Sequence, residues 1–445
     1  MSDLPSGWEW TTIGHVADVQ LGRQRSPKNH QGPHMRPYLR AANITWSGID
    51  LSDVKEMNFD PGEASTFELQ PGDLLLNEAS GSPNEVGKPA IWRGEIDGCC
   101  FQNTLLRVRP RRLSTEYLYW YCRAAALSGR FGEAGRGVNI RHLGKQGLSA
   151  FPLALPPLSE QERIVAAIEE HLSRLDAAGA SLRGARLRIT TLRAAVLAEW
   201  VADQARAHGL VPLAEKLGPS ALFSDGDWVE SKDQDPDGGV RLTQLADIGD
   251  GYWRNRSARF MRQEQFDRLG CTRLEPRDVL VARMPDPLGR ACLFPGDPLP
   301  CVTVVDVAII RPGADGPCPE WLVPVLNSAQ TRRQVAALQA GTTRKRISRR
   351  NLATVLVPDT PRRLQLNLVG MVEEPTGVAQ RTLDAMGLVE ARHAALRRSV
   401  LAAAFSGRLV LPDPDDEPAS MLLDRIRAQR VAVASTKRTQ KVNTS

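Results

Sequence analysis

Arg344, Lys345, Arg346, Arg349 and Arg350 place five cations within seven residues of the stretch TTRKRISRR (342–350). Guanidinium and ammonium groups at that density suit contact with phosphates. At the matching place in the first half, RGVNIRHLGK (136–145) supplies Arg136, Asn139, Arg141 and Lys145. A second pair of stretches, RPYLRAANITW (36–46) and VRLTQLADIGDGYWRNR (240–256), carries Arg40, Asn43, Gln244, Arg254 and Asn255, with Tyr252 beside them. The arginine and amide side chains among these can bond two atoms of a base edge at once. The third pair is NEASGSPNEVGK (77–88), with Asn77, Ser80 and Lys88, and ARMPDPLGR (282–290), with Arg283. For any one of these residues a solvated loop is the simpler explanation. Recurrence at matching places in both halves raises DNA contact above it.

Bond-making chemistry has no comparable support. The Gly-Lys pairs are followed by Pro89 and Gln146, so no phosphate-cradling GxxxxGK[ST] loop exists. Gly132, Gly135 and Gly137 have the wrong spacing for a dinucleotide fingerprint. Pro156-Pro157 is followed by leucine rather than the aromatic residue that an amino-group methyltransferase places against a flipped base. Glu230-Ser231-Lys232 after Asp227 imitates the carboxylate–lysine end of a metal-dependent nuclease, but such triplets arise often by chance. The expectation is a chain that catalyses nothing and binds no cofactor or metal itself.

The 445 residues leave room for two to four domains. A net charge of +6 and a pI of about 9.0 lean towards a polyanionic partner. The seven cysteines form no CxxC pair, which suits free buried thiols in a reducing compartment. Neither a leader pattern nor a membrane-length apolar run is visible, so the expected location is the cytoplasm.

The elements that must position the polar loops come in two copies. LRAAVLAEW (192–200) returns as LRRSVLAAAF (396–405), an interval of 204 residues. The same shift aligns Gly137 with Gly341, Phe151 with Val355 and Gln161 with Gln365, while LQPGDLLL (69–76) faces LEPRDVLV (274–281) at 205. The chain is a tandem duplication of domain-sized units. Short β-branched or leucine-rich runs between turn residues predict strands, with helices over 114–127 and 319–339, so the fold class is α+β.

After PLALPP, Ser159 and Glu162 form a capping box for a long helix. Ile168, Leu175, Leu182, Ile189 and Val196 fall at intervals of seven, with His171, Ala178, Ala185 and Leu192 as the second seam. Some 45 residues give a rod of about 65–70 Å. The second copy carries Val372, Ala379, Met386, His393 and Val400, with Val389 and Leu396 keeping the 3-4 spacing. Pro375 and Gly377 should kink it. Trp200, Leu197, Leu401 and Phe405 lie outside the seams and are candidates for docking a further protein. The layout is a mixed domain over 1–155, a helix over 156–207, a second mixed domain over 208–358, a kinked helix over 359–411, and a poorly ordered tail over 412–445.

This layout resembles the specificity subunit of type I restriction–modification systems, from LPSGWEW to about Leu411. The runs PLALPPLSEQERIVAAIEEHLSRLD (152–176), LRAAVLAEW and LRRSVLAAAFSGRL are similar to that family's connectors and helices. VPDTPRRLQLN departs from the usual second connector, keeping Gln365 but losing the acidic residue. The resemblance implies two target-recognition domains, each reading half of a split DNA site, and an antiparallel coiled coil that sets their spacing. It implies two methyltransferase (modification) subunits holding S-adenosylmethionine, and restriction subunits using ATP and Mg. Two other classes stay open on the residues alone: a standalone methyltransferase or nuclease, and a coiled-coil adaptor without DNA contact.

Overall fold

The computed structural model describes residues 4–80, 82, 85–134, 141–285, 287–341 and 345–442. It divides into two compact units, Met1–Ala180 with Glu390–Ser445, and Ser181–Val389. Within the first, strands Ala17–Leu21, Leu105–Pro110, Leu74–Asn77 and Pro89–Ile91 form an antiparallel sheet in that order. A second sheet pairs Met35–Leu39 parallel to Cys100–Phe101 and antiparallel to Lys55–Asn58. Glu9–Thr12 pairs with Pro152–Leu155.

The other unit repeats this wiring. Leu222–Asp225, Val307–Arg311, Val279–Ala282 and Ala291–Leu293 form its four-stranded sheet. Val240–Thr243 lies parallel to Cys301–Thr303 and antiparallel to Phe260–Met261, and Leu210–Pro212 pairs with Leu356–Pro358. The expected tandem α+β architecture is therefore the observed one. All seven cysteines are buried and unpaired; desolvation raises the Cys99 thiol to about 12. No helix among the described residues is long and apolar enough to cross a membrane.

Two buried devices recur at matching places. Asp73 accepts from Arg109 at 2.6 and 2.7 Å and from the Gln70 N–H, while Asp278 accepts from Arg311 at 2.7 and 2.8 Å and from the Glu275 N–H. Gln161 accepts from the Ser114 N–H and donates to the Pro156 carbonyl; Gln365 does the same with Cys318 and Thr360. Ser114 and Cys318 are the N-caps of helices Thr115–Leu127 and Pro319–Asn327, so the connector glutamine ties each long helix to its domain. The lost acidic residue has a local cause. Glu160 accepts from the Trp8 indole at 3.0 Å, and the second copy has Leu364 and Pro212 at those two positions.

The first long helix is Leu158–His208 and the second Arg362–Ala404. In the first unit Ile164, Ile168 and Leu172 share a core with Leu401 and Ala404, and the Leu175 carbonyl meets His393 Nε2 at 2.6 Å. In the second unit Leu197, Trp200 and Val201 pack with Val369 and Val372, and the Trp200 indole donates to the Leu368 carbonyl. The pairing is antiparallel, but its register differs from the expected seam. Ile168 is buried, while Leu175, Leu182, Ile189, Val196 and Val400 are half-buried. Leu172 and Gly179 take the places expected for His171 and Ala178, which are exposed, as are Leu192, Val389 and Leu396. A helix that covers a domain core as well as its twin needs a broader stripe than a two-stranded seam. Met386 is buried as expected.

Three further expectations are corrected. The helix begins at Leu158, with the Gln161 N–H bonded to Pro157, so Ser159 lies inside it and bonds Asp416 instead of capping. Pro375 and Gly377 leave Arg362–Ala404 one continuous helix, not a short helix followed by a longer one; proline removes one intrahelical bond, and the Thr376 hydroxyl bonds the Val372 carbonyl at 2.6 Å. The tail is helical over Ala419–Val442 and puts Ala419, Leu422, Leu423 and Ile426 into the first unit's core. The acidic run before it serves too, because Asp416 pairs with Arg163 at 2.5 Å.

Candidate nucleic-acid interface

In the second unit the loop after Val240–Thr243 is built around Asp247, which is fully buried. Its carboxylate accepts from the backbone N–H groups of Gln244, Arg256 and Ser257 at 2.6–2.8 Å and from the Ser257 hydroxyl. The Arg290 guanidinium, also buried, donates to the Leu245 and Ile248 carbonyls at 2.8 and 2.7 Å. Between these anchors the loop presents Tyr252 with the Arg254 guanidinium over its ring at 5.7 Å. Asn255 follows in the left-handed region at φ 53°, bonded to Arg241, and Arg256 is exposed. Gln244 is half-buried at the loop's start.

The first unit uses a different anchor at the same place. Asn43, buried, accepts from the Arg40 N–H at 3.0 Å and donates to the Asp50 and Asp53 carbonyls. Both polar atoms of its side chain are engaged within the loop, which it shapes. Arg40 is paired with Asp53. The hairpin that follows carries Trp46, with Lys88 and Arg123 over its ring at 5.9 and 5.2 Å. Glu85 accepts from the Trp46 indole at 2.8 Å and from Lys88 at 2.5 Å. Burial raises the Glu85 carboxyl, but these two donors outweigh it and hold it below its usual range.

The other two loop pairs also meet. Ala79–Ser80 pairs with Arg141–His142, and the Leu143 N–H bonds the Glu78 carbonyl at 2.9 Å. The corresponding bond runs from the Ile347 N–H to the Arg283 carbonyl at 3.1 Å. Contacts through Lys88 and through Arg290 join the first loop to this junction in each unit. All three pairs of polar loops picked from the sequence therefore converge, once per unit.

Individual residues fare unevenly. Arg283 is buried, donating to the Ile347 and Val305 carbonyls and pairing with Asp225, so it holds the junction together rather than facing a ligand. Arg349 donates to the Phe223 carbonyl, yet it is exposed, as are Lys345 and Arg346. Arg141 donates to the Gly132 carbonyl and Lys145 to Gln20; Lys145 is exposed. Asn77 is buried with its Oδ1 unpartnered. Ser80 is half-buried and accepts from the Ser82 N–H. Arg136, Asn139 and Arg344 lie outside the described residues. The Glu230–Lys232 resemblance to a nuclease dissolves into an exposed ion pair at 2.7 Å. Trp200, Leu197 and Leu401 are buried by their own units, and Phe405 packs edge-on against Tyr117 and Tyr121.

Several residues escaped the sequence reading. Arg23 lies over the Phe59 ring at 5.0 Å, and Arg25 and Lys28 follow it on an exposed loop. Trp228, 70% exposed, stands one position along in the second copy's counterpart loop. An isolated loop tryptophan beside turn residues was the available signal.

These units define a class: a duplicated domain, each copy of which sets convergent polar loops beside its own stretch of antiparallel paired helices. Residues 5–179 match the family described as "Type I restriction modification DNA specificity domain". The chain is 22% identical to the type I restriction enzyme EcoKI specificity subunit of Escherichia coli (strain K12) and 24% identical to the StySPI specificity subunit of Salmonella potsdam, across 98% of both chains in each case. A chain from a solved structure concerned with complex assembly and conformational transition of the type I R-M system aligns at a TM-score of 0.67 and 20% identity, covering 92% of this chain and 100% of that one, which establishes the fold. Over residues 5–179 the chain matches that domain family, and over nearly its whole length it is similar to type I specificity subunits.

Proposed function

We propose that this chain is the DNA-reading subunit of a type I restriction–modification assembly and that each unit reads one half of a bipartite site. The observation that carries this is the convergence of the same three loops in both units, on one repeated framework, with different side chains. Exposed cations such as Lys345, Arg346 and Arg256 make phosphate contacts, and Arg254, Asn255 and Gln244 read base edges. Methyl transfer and cleavage belong to partner subunits. S-adenosylmethionine sits on two methyltransferase subunits, one per copy, and ATP and Mg on restriction subunits, in the cytoplasm. The count of unread base pairs between half-sites follows the length of Leu158–His208.

Methylome sequencing tests the reading. Exchanging residues 210–355 for the equivalent segment of a relative changes one half of the methylated site and leaves the other. A change in both halves, or in neither, overturns it.

A further inference from the structure

Gly22 and Gly226, 204 residues apart, open the loops that leave strands Ala17–Leu21 and Leu222–Asp225. A Cβ at either would collide with a backbone oxygen, that of Gln102 or Val304, so each chain passes its neighbour where only glycine fits. The wiring beyond them is shared. The Gly22 N–H bonds the Leu105 carbonyl and the Asn103 N–H bonds the Arg23 carbonyl; Gly226 with Val307 and Val305 with Asp227 repeat both bonds. A short 3-10 turn follows at the same interval, Pro27–Asn29 and Ser231–Asp233. Each loop is also fastened to the junction of the polar loops, because the Glu78 N–H bonds the Thr104 carbonyl and the Arg283 N–H bonds the Asp306 carbonyl. On this common backbone the charge is reversed. Residues 22–34 carry Arg23, Arg25 and Lys28 and no acid, whereas 226–239 carry five acids against Lys232.

We propose that residues 22–34 form a phosphate-gripping element of the first unit alone, and that the second unit has surrendered this contact. This rests on the DNA reading above and adds that the two half-sites are held with unequal dependence on salt. Arg23 is committed to the protein, paired with Glu63 at 2.6 Å and donating to the Asn58 carbonyl. Arg25 and Lys28 are exposed and have no ion pair among the described residues. The loop borders an open cleft of about 510 Å³ whose lining includes Arg25, Gln24, Ser26 and Asn29, with Glu63 its one acid. Amides and a hydroxyl beside free cations suit phosphate oxygens, and each cation that meets a phosphate releases condensed counterions. At the second unit's loop a phosphate would meet Glu230 and Asp237, both exposed, and be repelled. That unit concentrates its cations elsewhere, five of them within 344–350 against three across 136–145 in the first. The grip has moved between loops as the copies diverged.

The test follows fluorescence anisotropy of the full chain, assembled with the modification subunits of its own system, on a duplex carrying the methylated site across a salt series. In Arg25→Ala/Lys28→Ala the slope of log affinity against log salt becomes shallower by about 2. Arg93→Ala/Arg112→Ala is the control. It removes the same charge at the far end of the sheet, where Ile91 pairs with Leu74 and Pro110 with Ala17, and leaves the slope unchanged. Glu230→Gln/Asp237→Asn also leaves it unchanged; a steeper slope there would set the acidic loop against phosphates and overturn the asymmetry. An unchanged slope in Arg25→Ala/Lys28→Ala, or an equal change in the control, overturns the proposal and leaves the DNA reading intact. Absence of salt-dependent binding by the unsubstituted complex overturns that reading itself. A second duplex carries methylphosphonates in and beside the half-site that exchange of 210–355 leaves intact. On it Arg25→Ala/Lys28→Ala and the unsubstituted chain show equal slopes, and a surviving difference overturns the assignment to the first unit.

Discussion

Asn43 and Asp247 occupy one position in two copies of a fold, and they do opposite work. The amide in the first unit donates to two carbonyls and accepts one N–H; the carboxylate in the second accepts three N–H groups and a hydroxyl. The backbone each one organises is correspondingly different, an Asp50–Asp53 turn against an Arg254–Arg256 projection. By contrast, the Asp–Arg pair and the connector glutamine are the same in both units to within about a tenth of an ångström of hydrogen-bond length, apart from the bonds to the two helix caps at 3.0 and 2.7 Å. The framework is held by repeated buried polar groups, and the loops diverge at the one buried group that decides their path. Changing an anchor should therefore alter specificity, as should changing the exposed tips.

The comparison breaks first at the shared framework. Asp73→Ala leaves the Arg109 guanidinium without its carboxylate, whereas after Asp278→Ala Arg311 keeps Glu275 at 2.7 Å; each variant also leaves a turn N–H without its acceptor. Loss of a buried pair costs about 3–5 kcal/mol, reduced to about 2–3 here because both arginines remain partly in water. Chemical denaturation should show losses of similar size, the larger in Asp73→Ala because Arg311 retains Glu275. A clearly larger loss in Asp278→Ala would mean that the units are not framework copies.

Exchange of the anchors sharpens the difference. In Asp247→Asn an amide NH₂ faces backbone donors, and in Asn43→Asp a carboxylate oxygen faces two carbonyls. Each leaves buried groups unsatisfied at roughly 1–3 kcal/mol. The expected outcome is weaker binding to one half-site per variant, a different half-site in each, read by fluorescence anisotropy on duplexes altered in one half. Loss at both half-sites from one substitution would show that the loops are not organised independently.

Below these in size stand Gln161→Leu and Gln365→Leu. Either frees a helix-cap N–H inside the protein, costing about 1–2 kcal/mol, with the same midpoint shift expected in thermal unfolding of both.

How much of this was written plainly in the chain follows from kind of interaction. The duplication and long helices were legible because periodicity and spacing survive in one dimension. Gln365 was visible as a survivor in a changed connector, but its role depends on Cys318, 47 residues away. The tail was misread although Ala419, Leu422, Leu423 and Ile426 fall at i, i+3, i+4 and i+7; the proline- and aspartate-rich run before it dominated the composition. Asn43 is of a base-reading type and Arg283 belongs to a paired polar loop, yet both are buried and their polar atoms bond within the protein. Nothing local distinguishes an arginine that grips a phosphate from one that grips Ile347.

The smallest effect isolates a single departure in the framework. Gly72 takes φ 91° in the first unit, and its counterpart in the second is Arg277 at φ 73°, a conformation that costs a side-chain-bearing residue about 1–2 kcal/mol. Arg277 offsets part of that through two bonds of 2.8 Å to Glu320. Both partners of that pair keep contact with water, so the pair contributes at most about 1 kcal/mol. Arg277→Gly should therefore be neutral or stabilising by up to about 1 kcal/mol, whereas Gly72→Arg, even with Glu116 at the position matching Glu320, should destabilise by about 1 kcal/mol. If thermal unfolding showed the two reciprocal changes to be equally harmful, the turn in the second unit would owe its shape to the Glu320 pair and not to the repeated backbone.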